Sequence, residues 1–183
     1  GKGKKDIPSY TSDVKYNVVR VGDKLAEYLE KTYDVPVIHN GTIHGNYSKS
    51  LKTINSYLKS YPSIKIILDI HRDGLDADKP KLRLAKEVNG KKAAQVMFVV
   101  GTNGSGLKHP NWRQNLKLAV KLQQKLNEEA PGLARSIWIS NNRYNQHMAD
   151  GALIIEIGAD GNTIEEALES TKYVAKAISE VIK

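Results

Sequence analysis

The sequence predicts an α/β fold, in which a single domain holds a mixed, mostly parallel twisted sheet flanked by helices on both faces. Segments with helical periodicity alternate along the chain with short apolar, β-branched segments, as they do in layered α/β domains. The segments at 64–74 and 152–157 begin as apolar runs, the first of them broken only by Lys65, which is typical of strands buried on both faces. The 183 residues are enough for one domain with a full core and too few to need two.

Composition narrows the kinds of site that the domain can hold. The net charge of +8 favours an anionic partner such as nucleic acid, anionic lipid or an acidic cell-wall polymer. The lysines are spread along the chain and aromatic residues do not alternate with them, so no dedicated nucleic-acid site is expected. Because the chain has no cysteine, any metal must be held by His, Asp or Glu.

The chain is predicted to have two parts. Its opening, GKGKKD, is basic, and residues 1–12 are expected to form a flexible lead-in to a domain over 13–183. The opening resembles the interior of a longer protein, so targeting signals are expected to lie outside this sequence. The sequence contains no run of about 18 apolar residues that would predict a membrane span.

The first half of the domain is predicted to contain two helices and two strands. Valines and leucines recur at three- and four-residue spacing over 13–33, which predicts an amphipathic helix. A second helix is predicted over 47–61, where Pro62 stops it. The two strands are predicted at 35–39 and at 64–74, the second of them central in the sheet.

The second half is predicted to begin with a hairpin. The dipeptide Asn89-Gly90 is the strongest short-range hairpin signal in the chain and is predicted to join strands at 82–88 and 93–100. Thr163 and Glu166 predict a capping box at the start of the last helix. The remaining elements are predicted as a helix over 110–129, strands over 136–140 and 152–157, and a helix over 164–182.

Polar residues end the strand at 64–74. Alternation along a strand places Asp69 and His71 on the same side, while Arg72 and Asp73 are expected just past the strand end. Ligands bind at the carboxyl ends of strands in open α/β sheets. A neutral imidazole there suits a metal ligand or a general base, and a neighbouring carboxylate can fix its tautomer. The alternative is a buried histidine held by a salt-bridged loop.

Four further residues stand out from their surroundings. Glu156 interrupts an apolar strand, where a carboxylate must be paired, protonated or bound to a metal. His44 lies in a glycine-containing loop that follows a predicted strand, although a surface histidine without a role is the more common case. Asn145 lies in an unusually polar connection, together with Arg143, and substrate contacts from either are plausible.

Several segments together resemble one family. In order, they are LDIHRD, AAQVMFVVGTN, HPNW with Asn115 after it, PGL, RYNQ and IIEIGADGNTIEEA. They resemble the stage II sporulation protein P family, a branch of the zinc-dependent N-acetylmuramoyl-L-alanine amidases. The resemblance covers nearly the whole chain, from residues 18–22 to the last helix. It implies an amidase-like (phosphorylase/hydrolase-like) domain that hydrolyses peptidoglycan at the amide between N-acetylmuramic acid and L-alanine of the stem peptide.

The resemblance also implies roles for individual residues. His71 matches the family's metal-binding histidine and Glu156 its catalytic acid/base, with zinc as the cofactor. His44, Asp69, Arg72, Asp73 and Asn145 are candidates for contacts with the substrate or for support of the metal ligand. Family members carry an earlier strand ending in a HTHxxESY-like motif with a further metal ligand, which is expected upstream of this chain. The chain by itself is therefore expected to hold an incomplete site and to cleave poorly, with His44 as a makeshift ligand.

The resemblance implies a cellular setting as well. The expected process is septal wall degradation and engulfment during sporulation, with the lytic transglycosylase stage II sporulation protein D and the membrane protein stage II sporulation protein M as partners. The expected location is extracytoplasmic, with a membrane anchor outside this chain. From another class of protein, the alternative is a non-catalytic module that binds the stem peptide or glycan of the cell wall.

Overall fold

The computed structural model describes residues 11–74 and 80–183, so most of the predicted lead-in lies outside the described residues. Its helices are α1 (Val18–Tyr33), α2 (Tyr47–Ser60), α3 (Trp112–Glu129) and α4 (Ile164–Val181). Its strands are β1 (Ile66–Asp73), β2 (Ala85–Val88), β3 (Lys91–Ala94), β4 (Val96–Gly101), β5 (Trp138–Ser140) and β6 (Gly151–Ala159). Short 3₁₀ turns occur at Val14–Tyr16 and Gln146–Met148.

The main sheet has four strands in the order β1-β6-β4-β5. The pairs β1–β6 and β4–β5 are parallel, whereas β6 and β4 are antiparallel. The predicted mixed, mostly parallel α/β sheet is therefore confirmed. Strands β2 and β3 form a separate antiparallel pair. They are joined at Asn89 and Gly90, whose φ angles of 50° and 74° are those that a two-residue hairpin turn requires.

The two faces of the main sheet are covered unequally. Helices α1, α3 and α4 pack together over one face, where Phe98, Leu153 and Ile155 are almost wholly buried. Side chains on the other face, which we call the site face, include a small cluster of Met97, Val99 and Ile154. This cluster is covered by Tyr144, whose ring contacts Tyr47 at the start of α2. Helices thus flank both faces, as predicted, and the beginning of α2 lies over this cluster on the site face.

Strand β1 differs from its prediction in position. Among the described residues it lies at the edge of the main sheet, pairs only with β6 and is half-buried along its length. The central strands are β6 and β4, which are almost wholly buried. An apolar run does not distinguish a central strand from an edge strand that has helices on one side and a cavity on the other. Arg72 and Asp73, which were expected past the strand end, lie inside β1, with a bulge between His71 and Asp73.

Two other strand predictions need correction. Residues 35–39 form no strand, and Val35 and Val37 instead pack as partly buried side chains against the core. The predicted strand at 93–100 is divided at Gln95, so that β3 pairs with β2 while β4 enters the main sheet. The Gln95 N–H donates to Leu84 O and its carbonyl accepts from Gly158 N, which fixes the chain where it passes between the two sheets.

The predicted capping box at the start of α4 is confirmed. The Thr163 hydroxyl accepts from Glu166 N, and the Glu166 carboxylate accepts from Thr163 N. The same carboxylate is bound by the Arg83 guanidinium and the Asn162 amide, and is almost wholly buried. Asn162 also bonds to both backbone groups of Leu84. These contacts attach the hairpin to the beginning of α4.

Candidate active site

The register between β1 and β6 brings the two residues of greatest interest together. His71 lies directly opposite Glu156, and Asp69 lies opposite Ile154. Because paired residues on neighbouring strands point to the same face, Asp69, His71 and Glu156 all project from the site face. Because β1 and β6 run parallel, this group lies near the carboxyl ends of both strands, where α/β sheets commonly place ligands.

His71 and Asp69 form a hydrogen-bonded pair within β1. The His71 Nε2 atom lies 3.2 Å from Asp69 Oδ1, and both side chains are partly exposed. This hydrogen bond is the main reason that the pKa of His71 is raised. The charges of Asp69 and Glu156 add to the rise, and burial opposes it. The contact uses Nε2, so Nδ1 is the ring nitrogen that it leaves for another ligand.

Glu156 is the most perturbed carboxyl of the site. Its Oε2 atom is buried and has no hydrogen-bond partner within residues 11–74 and 80–183. The pKa of Glu156 is raised to about 7, mainly by burial. The charges of Asp73 and Asp69 also raise it, while those of His71 and Arg135 lower it. A carboxyl with a pKa near neutrality both accepts and donates a proton at physiological pH, as a general acid/base must.

Asp73 is held by an ion pair that the sequence did not indicate. Its Oδ2 atom accepts a hydrogen bond from Arg135 Nη1 at 2.6 Å. Arg135 is fixed in turn because its backbone N–H donates to Val96 O. No motif marks Arg135 beyond its position just after the PGL segment. Asp73, a predicted site residue, is therefore part of the wall of the site, where it and Arg135 act on the charge of Glu156 in opposite senses.

Two tyrosines that the sequence did not single out cover part of the site face. The Tyr144 ring packs on Met97, Val99 and Ile154, and its centroid is 5.4 Å from that of Tyr47. Burial raises the pKa of Tyr47 to about 12, and the charges of Asp69 and Glu156 contribute to the rise. The Tyr47 hydroxyl therefore stays protonated at neutral pH and can donate a hydrogen bond.

Asn145 makes two contacts within the protein that the sequence did not predict. Its side-chain amide donates to Tyr47 O at 2.7 Å and to Ser50 Oγ at 3.0 Å. The amide that was expected to reach the substrate thus joins the connection after β5 to the first turn of α2. Its effect on a substrate would pass through Tyr47.

A cavity of about 660 Å³ runs beside β1, between α2 and the loop that precedes it. Asp69, His71, Arg72 and Tyr47 all line this cavity, as does His44. The His44 Nε2 atom is buried and has no hydrogen-bond partner among the described residues. The structure therefore brings His44 and Arg72 to the cavity that His71 borders, although it assigns neither of them a role.

The described side chains do not by themselves form a metal site. Within residues 11–74 and 80–183, no group of three or more His, Cys, Asp or Glu residues is arranged to hold a metal ion. A catalytic zinc takes about three protein ligands and a water. The imidazole of His71 and the carboxylate of Glu156 have suitable donor chemistry, but they do not complete such a set. The zinc site stays a prediction.

The fold defines the class of the protein as a single α/β domain with a mixed, mostly parallel sheet. The fold resembles the crystal structure of N-acetylmuramoyl-L-alanine amidase from Clostridium difficile 630, with a TM-score of 0.54 and 16% identity over 90% of this chain and 78% of that one. The chain belongs to the stage II sporulation protein P family, whose sequence model matches residues 6–179.

A relative in that family is longer than this chain. The chain is 29% identical over 196 residues to stage II sporulation protein P of Bacillus subtilis (strain 168). The match covers 98% of this chain and 46% of the relative, so the chain spans about half of the relative's length. Among the described residues, no helix is long and apolar enough to cross a membrane.

Proposed function

We propose that the protein hydrolyses peptidoglycan during sporulation, at the amide between N-acetylmuramic acid and the L-alanine of the stem peptide. The observation that carries this proposal is the placement of Glu156. It is a partly buried carboxyl, with its Oε2 atom buried and a pKa of about 7, and it lies directly opposite His71 at the carboxyl ends of two parallel strands. Membership of the stage II sporulation protein P family and the amidase-like fold support the same reaction.

In the proposed reaction, Glu156 moves one proton. Its carboxylate takes a proton from the water that attacks the scissile carbonyl carbon. The resulting carboxylic acid then gives that proton to the departing amide nitrogen as the C–N bond breaks. A pKa of about 7 suits both transfers, since neither protonation state is strongly favoured at neutral pH. Burial against the sheet maintains this raised pKa because it limits the access of bulk water to the carboxyl.

His71 is the residue that we propose as a zinc ligand, through a nitrogen oriented by its hydrogen bond to Asp69. Zinc, when bound, would polarise the scissile carbonyl and lower the pKa of the attacking water. We propose that the family's earlier strand supplies a further ligand, and that His44 is a substitute for that ligand in the chain alone. Arg72, which lines the cavity beside His71, is our candidate for contacts with carboxylates of the stem peptide.

The proposed setting follows from the family. We propose that the protein acts outside the cytoplasm on septal peptidoglycan during engulfment, with a membrane anchor outside this chain. We also propose that it acts with the lytic transglycosylase stage II sporulation protein D and the membrane protein stage II sporulation protein M. The net charge of +8 is consistent with attraction to an acidic cell-wall polymer.

The test pairs metal content with cleavage. The chain is purified as it stands and also with an amino-terminal extension that carries the family's earlier strand. Zinc is measured by mass spectrometry, and release of stem peptides is measured from purified sacculi. We expect weak zinc binding and little release by the chain alone, and one zinc with clear release by the extended chain, because a metal site is tight only when all its ligands are in place.

Three outcomes would revise the proposal. One tight zinc and full activity in the chain alone would show that all ligands lie within its 183 residues. If the His71→Ala variant of the extended chain keeps both its zinc and its activity, His71 is not a zinc ligand. Binding of sacculi without any release, in both chains, would favour the cell-wall binding module over the enzyme.

A further inference from the structure

The aromatic pair of Tyr47 and Tyr144 lies immediately beside the proposed catalytic group. The Tyr144 ring rests on Met97 and Ile154, which are the cross-strand partners of Glu156 and Asp69 respectively. The Tyr47 ring contacts the Tyr144 ring, lines the cavity and is 41% exposed, so part of its surface faces solvent. The mechanism proposed above uses neither tyrosine.

We propose that Tyr47 and Tyr144 form the wall of a subsite for the sugar ring of a muropeptide, and that Asn145 is a positioning residue that holds Tyr47 in this wall. The inference rests on the proposed function, because it assigns the two sides of the scissile amide to different parts of the same site. It adds a surface that orients the substrate, which His71 and Glu156 alone do not do.

The backbone conformation of Tyr144 and Asn145 shows that surrounding contacts hold this wall in place. Tyr144 and Asn145 are consecutive residues with φ angles of 51° and 62°, in the left-handed region that residues other than glycine seldom adopt. A bulky residue is especially rare there, and such conformations persist only where surrounding contacts over-determine them. Here the contacts are the hydrogen bond between the Tyr144 and Ser140 hydroxyls at 3.0 Å and the two donated by the Asn145 amide.

Tyr144 and Asn145 have different roles in this wall. The left-handed turn directs the Tyr144 ring onto the sheet and the Asn145 amide away from it. The amide then binds the backbone carbonyl of Tyr47 itself, at the first residue of α2. A shift of this turn would therefore move the Tyr47 ring, which makes Asn145 a positioning residue rather than a direct contact.

The chemistry of the wall suits a sugar. Aromatic faces offer a rigid, weakly polar surface, and ligand sites commonly combine such surfaces with a few polar groups that fix orientation. A pyranose ring has an apolar C–H face that packs on an aromatic ring and hydroxyls at its rim. The Tyr47 hydroxyl is protonated and is the polar group available at the edge of the wall.

The sheet also gives the substrate a direction. Along β6, the wall lies over Ile154, the catalytic group lies at Glu156, and Asp73 with Arg135 lies beyond it at the strand end. A substrate with its sugar on the wall would place the scissile amide at Glu156. Its stem peptide would then extend toward the carboxyl ends of the strands.

Calorimetric binding separates recognition of the sugar from recognition of the peptide. The probes are N-acetylmuramoyl-L-alanyl-D-isoglutamine and the sugar-free dipeptide L-alanyl-D-isoglutamine. The parent protein and all variants made from it carry Glu156→Gln, so that the first probe is not cleaved. Tyr47→Leu is expected to weaken binding of the sugar-containing probe roughly three- to tenfold, the usual effect of losing one aromatic contact. Binding of the dipeptide should not change.

Tyr61→Leu is the matched control, because Tyr61 is a 49% exposed tyrosine just after the other end of α2. It should bind both probes as the parent does. Asn145→Asp keeps a residue that tolerates the left-handed region but removes the amide donor. It should reproduce the loss seen with Tyr47→Leu, and the two changes combined should cost no more than one of them.

The outcomes distinguish this inference from the proposed function. If the parent prefers the sugar-containing probe but Tyr47→Leu and Asn145→Asp bind it unchanged, the wall is refuted while the proposed function stands. If the parent binds the dipeptide as tightly as the sugar-containing probe, the sugar subsite is refuted. If the parent binds neither probe, and the extended chain with Glu156 intact also releases no stem peptides from sacculi, both the proposed function and the inference fail.

Discussion

Replacing Glu156 with glutamine should stabilise the fold at alkaline pH while abolishing the proposed activity. The carboxyl has a pKa of about 7 in the folded protein, against an ordinary value of 4.5. A raised carboxyl pKa means that the folded state binds the proton more tightly than the unfolded state does. The protein therefore loses stability as the pH rises from about 4.5 through about 7, because the buried group must then ionise.

The magnitude follows from the same two values. Each pKa unit corresponds to about 1.4 kcal/mol, so the rise from 4.5 to about 7 corresponds to roughly 3 kcal/mol of lost stability at pH 8. Glutamine has a similar shape and stays neutral at every pH. The free energy of unfolding of Glu156→Gln should thus exceed that of the wild type by up to about 3 kcal/mol at pH 8 and by little at pH 4.5.

The assay is urea unfolding at pH 4.5 and pH 8, followed by circular dichroism, with EDTA present so that no bound ion contributes. Glu30→Gln, at an exposed position in α1, is the matched control and should show no such pH-dependent gain. A stability difference between Glu156→Gln and wild type that is the same at both pH values would refute the reasoning. It would mean that Glu156 ionises in the folded protein as easily as it does in water.

Two further predictions concern residues that hold the fold around the site. The pKa of Glu166 is lowered to about 2, mainly by its hydrogen bonds with Arg83, so Glu166→Gln should cost about 2 kcal/mol at pH 7, after allowance for the exposure of Arg83. That cost should disappear in urea titrations as the pH falls from about 4.5 toward 2, whereas a constant cost would argue against the ion pair. The fully buried Asn115 amide donates to the carbonyls of Gln146 and Ala152, so Asn115→Ala should lower the free energy of unfolding by about 2–4 kcal/mol. The exposed neighbour Gln114→Ala should cost under about 0.5 kcal/mol, and equal effects at the two positions would contradict the buried role of Asn115.

Local signals were sufficient for much of the fold. The hairpin at Asn89-Gly90 and the capping box at Thr163 and Glu166 were predicted because a few neighbouring residues determine each of them. Glu156 was noticeable because a carboxyl in an apolar strand carries a desolvation cost wherever that strand lies in the sheet. The alternation of Asp69 and His71 likewise needed only the geometry of one strand.

Features that depend on distant partners could not be predicted. The edge position of β1 is set by strand order, which its own residues do not encode. The division of the strand at Gln95 depends on the hydrogen bonds that its N–H donates to Leu84 O and its carbonyl accepts from Gly158 N. The left-handed turn at Tyr144 and Asn145 is stabilised by Ser140 and α2, and a tyrosine gives no local sign of such a conformation. The aromatic wall could therefore not be predicted from the sequence.

The identity of the cleaved bond tests the central claim most directly. Sacculi are digested with the extended chain and with its Glu156→Gln variant, and the soluble products are identified by liquid chromatography and mass spectrometry. We predict intact stem peptides with a free L-alanine amino group from the wild type, and at least a hundredfold less of them from the variant, since general acid–base catalysis contributes about 10²–10⁴-fold. Products cut within the glycan or within the peptide, or equal release by the variant, would contradict the account.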